Sequence, residues 1–285
     1  MSAASQAPVR QVPSTDGVTL ALHDLGGNGR PLLLCHPTGF LGMTWAPLAA
    51  GLADVAHAWA LDFRGHGDST APASGDLSWS GMADDVLAVV DALGLTDVRA
   101  AGHSMGGAAL VMAELRRPGT FARLWLYEPI IFPPAEGGPP AGNPLAEGAR
   151  RRRPWFPDRE AAYANFASKP PLNVLAPEAL RAYVDHGLRS RPDGDAVELK
   201  CPPDVEARVF EGGAGHATFT HLGAVRCPVT VAVSGEALGP AQAAPLVAER
   251  LPAGRLERHP ELTHFGPMED PAAMAAAVRA ALQLG

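Results

Sequence analysis

The sequence predicts an α/β protein: a mostly parallel sheet with helices on both faces, interrupted by a mainly helical cap. Three observations predict it. Short continuous apolar runs alternate with stretches of helical periodicity through most of the chain. Strands covered on both faces read as such runs, and strand–helix–strand succession makes neighbouring strands parallel. The alternation then stops: residues 133–222 hold 13 of the 28 prolines, a density that suits irregular connections between short helices.

The elements follow in order. Val9–Pro13 and Val18–His23, joined across Asp16-Gly17, read as an opening hairpin. Leu32–Cys35, Val55–Leu61, Val98–Gly102, Leu124–Tyr127 and Val229–Val233 read as covered strands, and Arg255–His259 as a more polar one. Helical patterns lie between them at Thr44–Leu52, Ser78–Leu93, Met105–Arg116, Gln242–Leu251 and Pro271–Leu282. Within the proline-rich stretch, Arg159–Ala167 and Pro177–Leu188 are the helical pieces. The chain thus divides into a core, 1–132 and 223–285, and a cap or lid, 133–222. A second independent domain is the weaker reading, because the flanking strands need one another to complete the sheet.

Composition excludes several functions. Thirty acidic residues against 23 basic give a net charge of −7, which argues against a broad nucleic-acid face. No apolar run approaches the length of a membrane span, and the N-terminus lacks the apolar core of a secretory signal. Cys35, Cys201 and Cys227 form no paired framework, so a reducing compartment, the cytoplasm, is expected, with all three as small buried hydrophobes. The ten histidines show no ligand spacing with cysteine or carboxylate, and no metal is expected. Arg150–Arg153 reads as a solvated charge run, although on a cap it would be placed to meet an anionic substrate.

Gly102-His103-Ser104-Met105-Gly106-Gly107 is the most informative hexapeptide. It fits G-x-S-x-G between a strand and a helix, the context that motif requires. A serine on so tight a turn needs glycine at both flanks, and the following helix aims its N-terminus at developing negative charge.

Together with His36-Pro37-Thr38-Gly39, Asp62-Phe63-Arg64-Gly65-His66-Gly67-Asp68-Ser69 and Thr263-His264-Phe265, in that order, the chain resembles the α/β-hydrolase superfamily over nearly its whole length. The resemblance implies that Ser104 attacks an acyl carbon and that His264, after the last strand, removes its proton. It also implies that the Arg64–Ser69 loop is structural, so His66 is a poor base. His259 lies within its strand. His23, His57 and His186 read as surface histidines.

The acid departs from the usual pattern. The family's Gly-x-x-Asp after the penultimate strand here reads Gly235-Glu236-Ala237-Leu238, with leucine in place of aspartate. Either Glu236 substitutes, or the acid is Glu128, which closes Leu124–Tyr127 at a position used by some family branches. Glu128 is preferred, because a carboxylate at that strand end would be costly to bury without an imidazolium partner. The oxyanion donors implied by the resemblance are the backbone N–H groups of Met105 and Thr38; Pro37 has none. Phe40, Trp45, Phe265 and His103 are placed around the substrate, His103 chiefly as packing. Trp155, Phe156, Tyr163 and Phe166 are candidates to close over it.

These readings lead to a cofactor-free serine hydrolase acting on an ester, thioester or lactone of a small organic molecule. Carbon–carbon hydrolysis and perhydrolysis use the same triad. A binding protein that retains the fold without turnover is the alternative from another class. Oligomeric state is not encoded in any motif.

Overall fold

The structure, a computed structural model, describes residues 9–134, 142–192, 194–213 and 215–285. Residues 135–141, 193 and 214, which fall within the expected cap, lie outside the described residues. The sheet strands are β1 (Val9–Pro13), β2 (Thr19–Gly26), β3 (Arg30–Cys35), β4 (Ala56–Leu61), β5 (Val98–His103) and β6 (Phe121–Tyr127). Short strands β7 (Trp155–Phe156), β8 (Leu188–Ser190) and β9 (Val197–Leu199) follow, then β10 (Val229–Ser234) and β11 (Gly254–His259).

Helices α1 (Ala46–Ala50), α2 (Trp79–Leu93) and α3 (Met105–Arg116) alternate with the first strands. Between β6 and β10 come α4 (Pro144–Arg150), α5 (Arg159–Ala167), α6 (Pro177–Gly187), α7 (Pro203–Gly212) and α8 (Thr218–His221). The chain ends with α9 (Pro240–Arg250), α10 (Gly266–Glu269) and α11 (Pro271–Leu282).

Eight strands form one sheet in the order β1-β2-β4-β3-β5-β6-β10-β11. Pairing is antiparallel at β1–β2 and β2–β4, and parallel everywhere else. Strands β5 and β10, each flanked on both sides, are buried at every position, which is why they carry no polar–apolar alternation. On one face Val86 of α2, Leu110 of α3 and Val247 of α9 share a core with Leu33 and Val231. On the other, Leu48 of α1 and Met274 and Val278 of α11 pack on Leu32, Leu34 and Trp125.

The segment between β6 and β10 has a core of its own that is continuous with the body. Phe156, Phe166, Leu180, Tyr183 and Val184 pack there with Phe40, Leu41, Met43 and Met268. It also holds an antiparallel three-stranded sheet, β7-β9-β8, that the sequence reading did not anticipate. Strands of two or three residues are too short to show a period.

Candidate active site

The parallel strands bring their carboxyl ends to one edge, and the candidate residues sit in the turns that leave it. Ser104 links β5 to α3 at φ 54° and ψ −114°, outside the regions comfortable for an L-residue. Its neighbours hold it there. Ser104 N–H donates to the Tyr127 carbonyl at 2.9 Å, and the Ser104 carbonyl accepts from Ala108 and Ile130, both at 3.2 Å. A Cβ on Gly106 would lie 2.2 Å from the Cys35 carbonyl oxygen, and one on Gly102 would lie 2.7 Å from Gly107 N. The helix therefore approaches the end of β3 as closely as backbone allows. Gly106→Ala is expected to cost about 2 kcal/mol or more, read as a lower melting temperature; an unchanged one would mean the helix shifts freely.

Glu128 follows β6 directly and also has positive φ, 43°. Its N–H donates to the Ala232 carbonyl at 2.9 Å, which ties it to β10. The side chain is fully buried and each oxygen has a partner. Oε1 accepts from Ser234 N–H at 2.8 Å, and Oε2 accepts from His264 Nδ1–H at 2.6 Å. Burial pushes the carboxyl pKa up, but the hydrogen bond and charge of His264 and the contacts with Ser234 outweigh it, holding the group below its ordinary value. A carboxylate at Nδ1 fixes the imidazole tautomer that leaves Nε2 as a proton acceptor.

The loop carrying His264 is anchored from below. Tyr127 O–H donates to the Thr263 carbonyl at 2.8 Å, and Thr263 N–H and O–H both donate to Glu269 Oε2, at 2.9 and 2.7 Å. His103 lies under the loop with its ring centroid 4.8 Å from that of His264. Neither His103 nitrogen reaches a partner at hydrogen-bond geometry, and burial, then the charge of His264, keeps the ring well below its usual pKa. Glu236 stands at the cavity edge, exposed, its N–H bonded to Ser234 Oγ at 3.1 Å.

Thr38 sits in the turn after β3. Two buried histidines brace that turn. His36 Nδ1–H donates to the Pro37 carbonyl at 2.8 Å while Nε2 accepts from Phe63 N–H at 3.1 Å. His66 Nε2 accepts from Gly39 N–H at 3.2 Å. Burial lowers both pKa values, that of His36 to about 3, so both rings remain neutral braces. The Thr38 hydroxyl meets Met105 Sδ at 3.4 Å, joining the turn to the start of α3.

Ser104, His264, Thr38, Phe40 and Phe265 border one cavity of about 1010 Å³, roofed by the segment between β6 and β10. Ser104 and His264 are 160 positions apart in the chain, and the sheet is what joins them.

The family model described as "alpha/beta hydrolase fold" matches residues 30–233, well over half the chain. The chain belongs to the α/β-hydrolase family. A 98-residue stretch, 34% of this chain, is 34% identical to (E)-2-((N-methylformamido)methylene)succinate hydrolase of Acinetobacter baylyi and covers 37% of it. N-formylmaleamate deformylase of Pseudomonas putida is 28% identical over 145 residues, 51% of this chain and 50% of that protein. The chain thus spans half or less of the length of these curated relatives. The crystal structure of E-2-(acetamidomethylene)succinate hydrolase superposes with a TM-score of 0.81 at 21% identity, over 97% of this chain and 99% of that one.

Within this α/β-hydrolase, several expected positions need correction. Trp45 does not border the cavity: it is buried with Leu48, Leu52 and Met274 in the core between the sheet and helices α1 and α11, because the turn before α1 points it inward. His103 is likewise excluded from the lining and serves as packing under His264. Phe156 and Phe166 line the cavity; Trp155 and Tyr163 are not in the lining, and lie under the Arg153 and Arg181 guanidinium groups. His23 is buried, not superficial, and its Nε2–H donates to Asp62 at 2.9 Å.

His23, Asp62 and Asp68 converge at metal-like distances that no sequence spacing displays. The Asp62 oxygens already accept from His23 and from Gly42 and Asp68 N–H, and Asp68 pairs with Lys200 at 2.6 Å. Those donors account for the acidic pair, whose effect is to hold the Asp62–Ser69 loop. Among the described residues, no helix is long and apolar enough to cross a membrane. Unforeseen cavity residues include Trp79, Ile130, Phe132 and Tyr183. They come from loops and from α2 and α6, whose apolar residues carry no mark separating lining from core.

Proposed function

We propose that the protein is a cofactor-free serine hydrolase that cleaves esters, thioesters or lactones of small organic molecules through an acyl-enzyme. The observation that carries this reading is the 2.6 Å bond from His264 Nδ1–H to a buried Glu128, beside a strained Ser104 on the same cavity. In this mechanism Ser104 Oγ adds to the carbonyl carbon as His264 Nε2 takes its proton. Glu128 stabilises the imidazolium, and the oxyanion accepts from Thr38 and Met105 N–H. His264 then protonates the leaving group, and water deacylates Ser104 by the same steps in reverse roles. The segment over the cavity acts as a cap, its shared core with Phe40 and Met268 fixing the cavity's shape. One relative is named a deformylase of an N-formyl substrate, which adds an N-acyl bond to the bonds considered for this site.

A fluorophosphonate probe tests the nucleophile directly. Rapid labelling at Ser104, lost in Ser104→Ala and slowed in His264→Ala, is the expected result. A folded protein inert to the probe is instead a ligand-binding member of the family.

A further inference from the structure

The wall of the cavity opposite the sheet is more cationic than a chain of net charge −7 would suggest. Among the described residues, Arg151, Arg152, Arg153 and Lys169 border it against two carboxylates, Glu206 and Glu236. These cations are not equivalent. Arg152 is spent internally: its guanidinium pairs with Glu206 and donates to Tyr183 Oη at 2.6 Å. Arg151 is 73% exposed and 3.8 Å from Glu147. Arg153 and Lys169 are exposed like Arg151 but differ from both in their partners. The Arg153 guanidinium carbon lies 4.8 Å from the Phe156 ring centroid and 5.1 Å from that of Trp155. Lys169 Nζ donates to Asn165 Oδ1 at 2.9 Å. Among the described residues neither is paired with a carboxylate.

A guanidinium lying over aromatic rings is held without using up its hydrogen-bond donors, because a ring takes no N–H in the way a carboxylate does. Asn165 spends its oxygen on Lys169, which leaves its amide N–H groups as donors. Among the described residues, the wall therefore presents donors and positive charge at Arg153 and Lys169 that no carboxylate neutralises. Between this wall and His264 the lining is aromatic. Ring contacts run from His264 through Phe265, Phe40, Tyr183 and Phe166 to Phe156, with centroids 5.1 to 5.9 Å apart at each step.

We propose that Arg153 and Lys169, with Asn165, form a subsite for a carboxylate of the substrate, separate from the carbonyl that is cleaved. The proposal rests on the reading of Ser104 as nucleophile and adds the substrate class: small acids bearing a second, hydrolysable carbonyl group. The separation follows from the chemistry, because negative charge on the attacked carbonyl would oppose addition of the serine oxygen. An apolar middle section then lies along the aromatic lining. Guanidinium and ammonium groups serve this purpose through charge-assisted hydrogen bonds.

The test compares p-nitrophenyl hydrogen adipate with its neutral methyl ester, reading p-nitrophenol release. Wild type is expected to favour the acid at least tenfold in kcat/KM, and the Arg153→Gln/Lys169→Gln variant to bring the ratio near one. Arg189→Gln, which removes a cap charge outside the cavity lining, keeps the ratio. A wild-type ratio of one or below, or a ratio unchanged in the double variant, overturns the proposal.

Calorimetric binding of adipate to Ser104→Ala, with and without the two Gln substitutions, reads the subsite without turnover. A tenfold weakening supports it even if the nucleophile reading fails, and equal affinities overturn it. Inorganic phosphate displacing adipate at equal concentration would overturn the assignment to carboxylate.

Discussion

Ser104→Ala is expected to lower kcat/KM on a p-nitrophenyl ester by about 10⁴- to 10⁶-fold, the range seen when a triad nucleophile is removed. The loss is large because nothing else among the described residues bordering the cavity offers an equivalent, and Cys35, Cys201 and Cys227 are buried, with burial pushing each thiol well above its ordinary pKa. The remaining rate is expected from binding and from the oxyanion donors proposed at Thr38 and Met105 N–H. Alanine keeps the backbone bonds to Tyr127, Ala108 and Ile130, so the melting temperature should hold. That pairing of outcomes separates chemistry from folding. Residual activity within tenfold of wild type would transfer the attack to another group, and an unfolded variant would show the hydroxyl to be structural.

How far the sequence went depended on whether a feature was local. All eight strands of the main sheet were legible, since apolar runs such as Leu32–Cys35 and Val98–Gly102 mark buried strands within a few residues. Helix α11 was legible to the residue, with Pro271 at its first turn and Asp270 capping it through the Ala273 N–H. Orientation was the harder part. Trp45 and Phe40 lie five residues apart in one loop region, yet one faces the sheet core and the other the cavity. Only the turn geometry between them decides that. His23 looked superficial because its partner Asp62 is 39 residues away on the neighbouring strand's exit. The helices α4 and α7 and the small sheet β7-β9-β8 were hidden among prolines. Proline at the first turn of a helix and proline in a loop look alike until the chain is folded.

The carboxylate facing His264 is the point on which sequence offered two answers, Glu128 and Glu236, and mutation separates them by expected size. Glu128→Gln should reduce turnover by about 10²- to 10⁴-fold, and Glu236→Gln should leave it within about threefold, as for an exposed side chain with no partner in the machinery. The reasoning is about protons. Glutamine fits the same space, but its amide nitrogen or oxygen must now face Nδ1 without charge. With the nitrogen there, Nδ1 becomes the acceptor and the proton moves to Nε2, where it blocks attack. With the oxygen there, the tautomer survives but the imidazolium loses its counter-charge.

Stability supplies an independent sign. Because the folded-state pKa of Glu128 lies below its ordinary value, its ionisation stabilises the fold fully above the unfolded pKa. That contribution fades as pH falls through the folded value. Glutamine carries no such contribution, so wild type should exceed Glu128→Gln in stability at neutral pH, with the difference shrinking towards acid. A gap that widens on acidification, or a turnover loss concentrated in Glu236→Gln, would reassign the acid and remove the buried pair from the mechanism.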